Sequence, residues 1–120
     1  MGTAALTGAV SVGSLATLNV AAGGVVGAIT GSSDGVGTVN FNNSLTLGSN
    51  VGTNPNSLST ISVAASQTLT TGANHLDATT ISLGSASTLA LSTGTVTGTV
   101  QGASDGVGGV GAVTLANDLT

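Results

Sequence analysis

Phe41 is the only aromatic residue in a chain of 120, and the other apolar side chains are almost all Val, Leu, Ile and Ala. A thick core built around large rings is therefore not open to this sequence. Disorder is not the alternative, because disorder needs low hydropathy and high charge. This chain is 40% hydrophobic and only 3% charged. Helix is disfavoured too: Lys, Arg and Glu are absent, while Gly, Ser, Thr, Val and Asn rank below Ala as helix formers. Thr and Val suit the pleated, half-buried surface of a strand. The composition points to an all-β chain with a thin interior of small aliphatic side chains.

The strands announce themselves as apolar-x-apolar triplets, the period-2 mark of a half-buried strand. They include Val10/Val12, Leu18/Val20, Val39/Phe41, Leu45/Leu47, Ile61/Val63, Ile81/Leu83, Leu89/Leu91 and Val113/Leu115, separated by Gly, Ser and Asn. Where they are densest, at 81, 89 and 96, starts are seven or eight residues apart. Three such strands make a rung of roughly 20–25 residues, the scale of a solenoid coil. We expect a parallel β-solenoid of about five short stacked rungs, with Val, Leu and Ile inward and Gly, Asp and Asn at the corners. A β-sandwich is the alternative, since it also carries short strands with frequent turns.

An internal repeat runs through the chain. Residues 10–37 align without a gap on 81–108, an offset of 71, with 14 identities in 28 positions. The run SDGVG occurs in both, at Ser33–Gly37 and Ser104–Gly108. The offset then becomes 74, so that 37–46 matches 111–120. Residues 1–120 thus read as a single repetitive β segment holding about one and two-thirds copies of a 71–74 residue repeat, each copy about three rungs.

Several strings carry a family likeness. GAITGSSDGVGTVNFNNSLTLGSNVGT, SLSTISVAASQTLTTG, NHLDATTISLG and STLALSTGTVTGTVQG resemble the passenger repeats of rickettsial-type outer-membrane autotransporter surface antigens. The likeness covers roughly Val10 to Thr120 and lies in pattern rather than in signature residues. It implies export, display on a bacterial surface, and a role in adhesion or a surface coat, with a host-cell or surface receptor as partner. The function it suggests is a non-catalytic structural segment, an autotransporter-like passenger or adhesin stalk. A self-assembling subunit of an extracellular filament or surface layer is the alternative, and an ice-binding β-solenoid a minor one. The expected location is extracellular or at the bacterial cell surface, with signal and anchor outside this chain. Residues 1–12 carry no basic stretch of the kind that opens a signal peptide, and no run of about 18 apolar residues suggests a transmembrane helix.

Charge narrows the partners. With no Lys or Arg and a formal net charge of -4, the chain cannot neutralise phosphates, which argues against nucleic acid. With Cys 0, neither a disulfide framework nor a thiolate metal site can form.

Residues that could carry chemistry are few. His75 and Asp77 stand together in NHLD, so a Ser/His/Asp triad can be written down, but a triad is defined by geometry. His75 aligns with Ala4 in the first copy. We read it as a polar loop residue and the protein as no enzyme. Asp34 and Asp105 hold equivalent places in the two SDGVG runs and are weak Ca2+ candidates. Calcium takes about 6–8 oxygen ligands, whereas Asp-Gly is a turn former, so both are read as turn residues. No cofactor is expected. The run Gly106–Gly111 fits GxGxxG but lacks a following helix and an acidic partner. Asn42-Asn43-Ser44 has sequon form and reads better as part of an Asn ladder. Thr93, Thr95, Thr97 and Thr99 alternate along one stretch and suggest an ice-binding face, yet the 71-residue alignment sets Gly24, Val26 and Ala28 opposite the last three.

The ends set the expected partners. Solenoid rungs leave unpaired N–H and C=O groups on their outer edges, which invite another strand. The apolar start GTAALTGAVSVG and the closing NDLT do not look like polar caps. We expect association with other repeats or copies of itself through rung edges.

Overall fold

The computed structural model describes residues 5–21, 23–25, 27–102 and 111–115. Among these the chain forms strands and no helix. The strands are β1 (Val10–Val12), β2 (Thr17–Val20), β3 (Ile29–Gly31), β4 (Thr38–Phe41), β5 (Leu45–Thr46), β6 (Leu58–Val63), β7 (Thr68–Gly72), β8 (Leu76–Leu83), β9 (Thr88–Leu91), β10 (Val96–Gly102) and β11 (Ala112–Leu115). All pairings between these strands are parallel. One five-stranded sheet runs β10-β8-β6-β4-β2, a four-stranded sheet runs β11-β9-β7-β5, and β1 pairs with β3. Single parallel bridges continue the β1–β3 side from Ile29 through Val51 to Leu76. The molecule is a β-solenoid, with one strand of the long sheet in each of five turns. A sandwich is excluded, since it would need antiparallel strand pairs.

Register stacks like on like. Leu18, Val39, Ile61, Ile81 and Val100 form one inward column, returning about every 20 residues, at the lower end of known repeat lengths. Leu45, Leu69, Leu89 and Val113 form a second, and Val20, Phe41, Val63 and Leu83 a third. Side chains alternate across a strand, so these residues fill the interior while Ser, Thr and Asn face out. The core is continuous from Val12 to Leu89. Fully burying a Val, Leu, Ile or Phe side chain is worth about 1.5–3 kcal/mol, and the single Phe41 is 0% exposed at its centre. Every sequence triplet lies on a strand except at Leu47, which makes a single bridge beside β5.

The corners are tight. Residues 13–16, 64–67 and 84–87 each close a turn in which the fourth N–H donates to the first carbonyl: Ala16 to Gly13, Gln67 to Ala64, Ser87 to Gly84. The third residue of each is left-handed, with φ of 61° at Leu15, 59° at Ser66 and 54° at Ala86. Leu15 and Ala86 are equivalent in the 71-residue repeat, so the repeat preserves a strand–turn–strand unit. It does not preserve place in the solenoid. Val10 belongs to the side of Ile29, Val51 and Leu76, whereas its repeat mate Ile81 belongs to the side of Val39 and Ile61. A 71-residue spacing is not a whole number of turns, so the second copy enters the stack one side later.

Candidate functional site

Four features come into question, and the first is the stretch around His75. A cavity of about 200 Å³ opens there, lined by Asn50, Thr53, His75, Asp77, Thr95 and Thr97 among others. It joins three successive turns. The His75 N–H donates to Asn50 Oδ1 at 2.9 Å, and the Thr95 N–H donates to His75 Nδ1 at 3.0 Å. Thr95 Oγ1 lies 2.7 Å from the same nitrogen. Nδ1 is thus the accepting nitrogen of the ring, and its lone pair is engaged by the Thr95 backbone. Asp77 is held by its backbone, its N–H donating to the Val51 carbonyl at 2.9 Å. Gly52, with φ +77°, packs so closely that a Cβ there would lie 1.9 Å from the Asp77 carbonyl oxygen. The sequence pair His75–Asp77 thus lines one cavity. The hydroxyls that line it belong to threonines, and the one nearest the ring shares a nitrogen already taken by a backbone N–H. Among the described residues no group of three or more His, Cys, Asp or Glu could hold a metal ion.

Asp34 has a structural task. Its Oδ1 accepts from the Ser57 hydroxyl at 2.5 Å and from the Ser57 N–H at 3.3 Å, while Ser57 Oγ accepts from the Gly35 N–H at 2.9 Å. Ser57 is buried, so the carboxylate ties the first SDGVG turn to the rung above. Gly35 has φ 70°, as an Asp-Gly turn requires. Asp105 lies outside the described residues, as does the Gly106–Gly111 run apart from Gly111. Asn42 and Asn43 are exposed between β4 and β5. Ser44 beside them is engaged by Gln67, whose Oε1 accepts from the Ser44 N–H at 2.8 Å. The Asn ladder forms instead between Asn40 Nδ2 and Asn19 Oδ1, at 2.9 Å.

The threonine reading needs correction. β10 begins at Val96, so Thr93 and Thr95 precede the strand, and a register shift separates Thr97 from Thr99. The four do not make one strand face. The array lies across the turns: Thr17, Thr38, Thr60, Thr80 and Thr99 are direct register partners on the outside of the long sheet. The 71-residue alignment concealed this column, because the relevant period is the single turn. The near-repeat of ISV…TL at 61–69 by ISL…TL at 81–89 was the signal that could have revealed it.

The fourth feature is the fifth turn. Val100 and Val113 continue columns whose members one turn earlier, Ile81 and Leu89, are 0% exposed, yet they are themselves 39% and 47% exposed. Val96, above the fully buried Leu76, is only partly covered. At the other end Leu6, Val10 and Leu18 are likewise partly buried members of the same sides.

Comparison of this chain with protein-family models, with curated protein sequences and with solved structures gives no match.

Proposed function

We propose that this chain is a non-catalytic structural segment of an exported bacterial cell-surface protein, an autotransporter-like passenger or adhesin stalk. The observation that carries the reading is the exposure of Val100 and Val113 in columns whose preceding members, Ile81 and Leu89, are fully buried. A rung with its interior residues uncovered is a stacking surface. The partner it fits is another rung of the same kind, with aliphatic residues in the same columns and a free strand edge for the backbone to pair with. Stacked turns of this sort give a stiff, one-dimensional body, which suits a spacer that holds something away from a surface. The near absence of charge and the likeness to surface-antigen passenger repeats support the same assignment.

Labelling intact producing cells with an antibody raised against the 120-residue chain tests the location. Staining without permeabilisation is the expected result. Staining only after the cells are opened would overturn the reading.

A second reading, a filament subunit, has its own support. The fifth turn ends on Val96 and Val100, and the first turn begins with Val10 and Leu18 on the corresponding two sides. Such a head-to-tail joint is heterologous and does not close, so it propagates. Sedimentation of the isolated chain at rising concentration separates the cases. Open-ended polymers, lost in the double variant Val100→Asp/Val113→Asp, support a filament subunit. A monomer at all concentrations with intact β signal counts against self-assembly through the rung edges.

A further inference from the structure

We propose that the outer face of the long sheet is a binding surface for ordered water, that is, for the face of an ice crystal. The proposal rests on the register of that face and is independent of whether the turns stack on a second copy. Its first column is threonine in all five turns, Thr17, Thr38, Thr60, Thr80 and Thr99. Its second column, two residues along each strand, is Asn19, Asn40, Ser62, Ser82 and Gln101.

Two comparisons within the molecule set this face apart. The outward columns of the four-stranded sheet mix residue types: Thr46, Thr70, Ala90 and Thr114 in one, and Thr68, Thr88 and Ala112 in the other. The inward column beneath the threonines also varies, among Leu, Val and Ile. Only the Thr column is constant. The second comparison concerns partners. Asn40 and Asn19 are hydrogen-bonded to each other, but among the described residues none of the five threonine hydroxyls has a protein partner. They are free to bond outward.

Geometry then defines the ligand. Backbone pairing fixes the rung spacing at about 4.8 Å, and two residues along a parallel strand span about 6.6 Å. The face is therefore a net of hydroxyl and amide groups with two fixed periods, the scale on which faces of hexagonal ice present their water oxygens. Each threonine adds a methyl group beside its hydroxyl, so water over the face is held at the hydroxyls and caged between them. A charged side chain would orient water radially around itself and break the net, and neither column contains one. A crystalline polysaccharide is the competing flat ligand. Sugar rings are gripped by stacking on Phe, Tyr or Trp faces, and the one such ring, Phe41, is fully buried.

The test is partition of the 120-residue chain into slowly growing polycrystalline ice, with thermal hysteresis as a second readout. The expected result is enrichment in the ice fraction over a non-binding control protein. Thr60→Lys/Thr80→Lys should lower that enrichment by about tenfold or more, a change of one decade in apparent affinity. Thr70→Lys, on the four-stranded sheet, should leave it unchanged. Thr60→Val/Thr80→Val keeps the β-branched shape and removes only the hydroxyls, so it carries the same expectation if the lysine pair fails to fold. Circular dichroism identifies the folded variants. Partition no better than the control, equal loss from Thr70→Lys, or retention on crystalline cellulose or chitin in place of ice would overturn the proposal.

Discussion

Leu15 offers a substitution whose effect is almost wholly a matter of backbone. Its side chain is 100% exposed, so it contributes no burial, and its φ of 61° is left-handed. An L-residue in that conformation costs roughly 1–2 kcal/mol through the approach of Cβ to the following carbonyl. Asparagine tolerates the same conformation far better, because its short polar side chain bonds to nearby backbone. Glycine would relieve the strain too, but it gives back about 0.5–1 kcal/mol in the entropy of the unfolded chain. Leu15→Asn should therefore raise the unfolding free energy by about 1 kcal/mol, read as a higher urea midpoint at unchanged slope. Leu15→Ala keeps the strain and removes only an exposed side chain, so it should be close to neutral. Ala86→Asn, at the matching turn with φ 54°, should stabilise as Leu15→Asn does. A neutral Leu15→Asn beside a destabilising Leu15→Ala is the opposite outcome. That pattern would mean the leucine is covered in solution and the turn is not strained.

Four other outcomes follow from the same geometry. Ile61→Ala, at the middle of a column with both neighbours at 0% exposure, should cost about 2–5 kcal/mol in denaturant titration. Gly52→Ala should be at least as damaging as a typical disruptive substitution, about 3 kcal/mol, because its Cβ would collide with the Asp77 carbonyl; thermal melts read it directly. Ser57→Ala removes the hydroxyl that joins Asp34 to the Gly35 N–H and should cost about 1–3 kcal/mol, while Ser57→Thr should recover part of it. Proteolysis gives a last check. Trypsin has no Lys or Arg to cut after and should spare even the denatured chain, so proteinase K resistance of the native chain is the reading of packing.

How far the sequence foretells this structure depends on which interaction sets each feature. The all-β class and the placement of strands were legible, because an apolar-x-apolar triplet has one economical solution: bury two side chains and expose the one between. β3 and β7 escaped that pattern for a physical reason. β3 carries its inward side chain at Ile29 and then Gly31, and β7 carries Leu69 and then the buried Thr71. Their second inward positions are not aliphatic, so no triplet appears. Asp34 was legible as a turn residue, since Asp-Gly has that local preference by itself. Its bond to Ser57 was not, because Ser57 is reached only once two rungs are stacked.

The register was the hardest part to see, and the reason lies in the corner turns. The strongest sequence identity, between 10–37 and 81–108, reflects a corner that both copies use: strand, four-residue turn with a left-handed third position, strand. The same corner joins the β1 side to the long sheet at Leu15 and the long sheet to the four-stranded sheet at Ser66 and Ala86, so its recurrence does not say which sides it joins. What fixes the sides is the stacking of aliphatic columns about every 20 residues, and Val, Ile and Leu substitute for one another along those columns. Identity is thus low where the structural period is strict and high where it is loose. The threonine column is the exception. An outward position is less constrained by packing than an inward one, although half-buried Thr38, Thr60 and Thr80 gain something from stacking on their neighbours, and this one stays threonine through five turns. The outer face, rather than the His75 cavity, is therefore where the proposal of a ligand is placed, and the Thr60→Val/Thr80→Val pair separates the two demands: it keeps the β-branched shape that folding uses and removes the hydroxyls that ice binding would need.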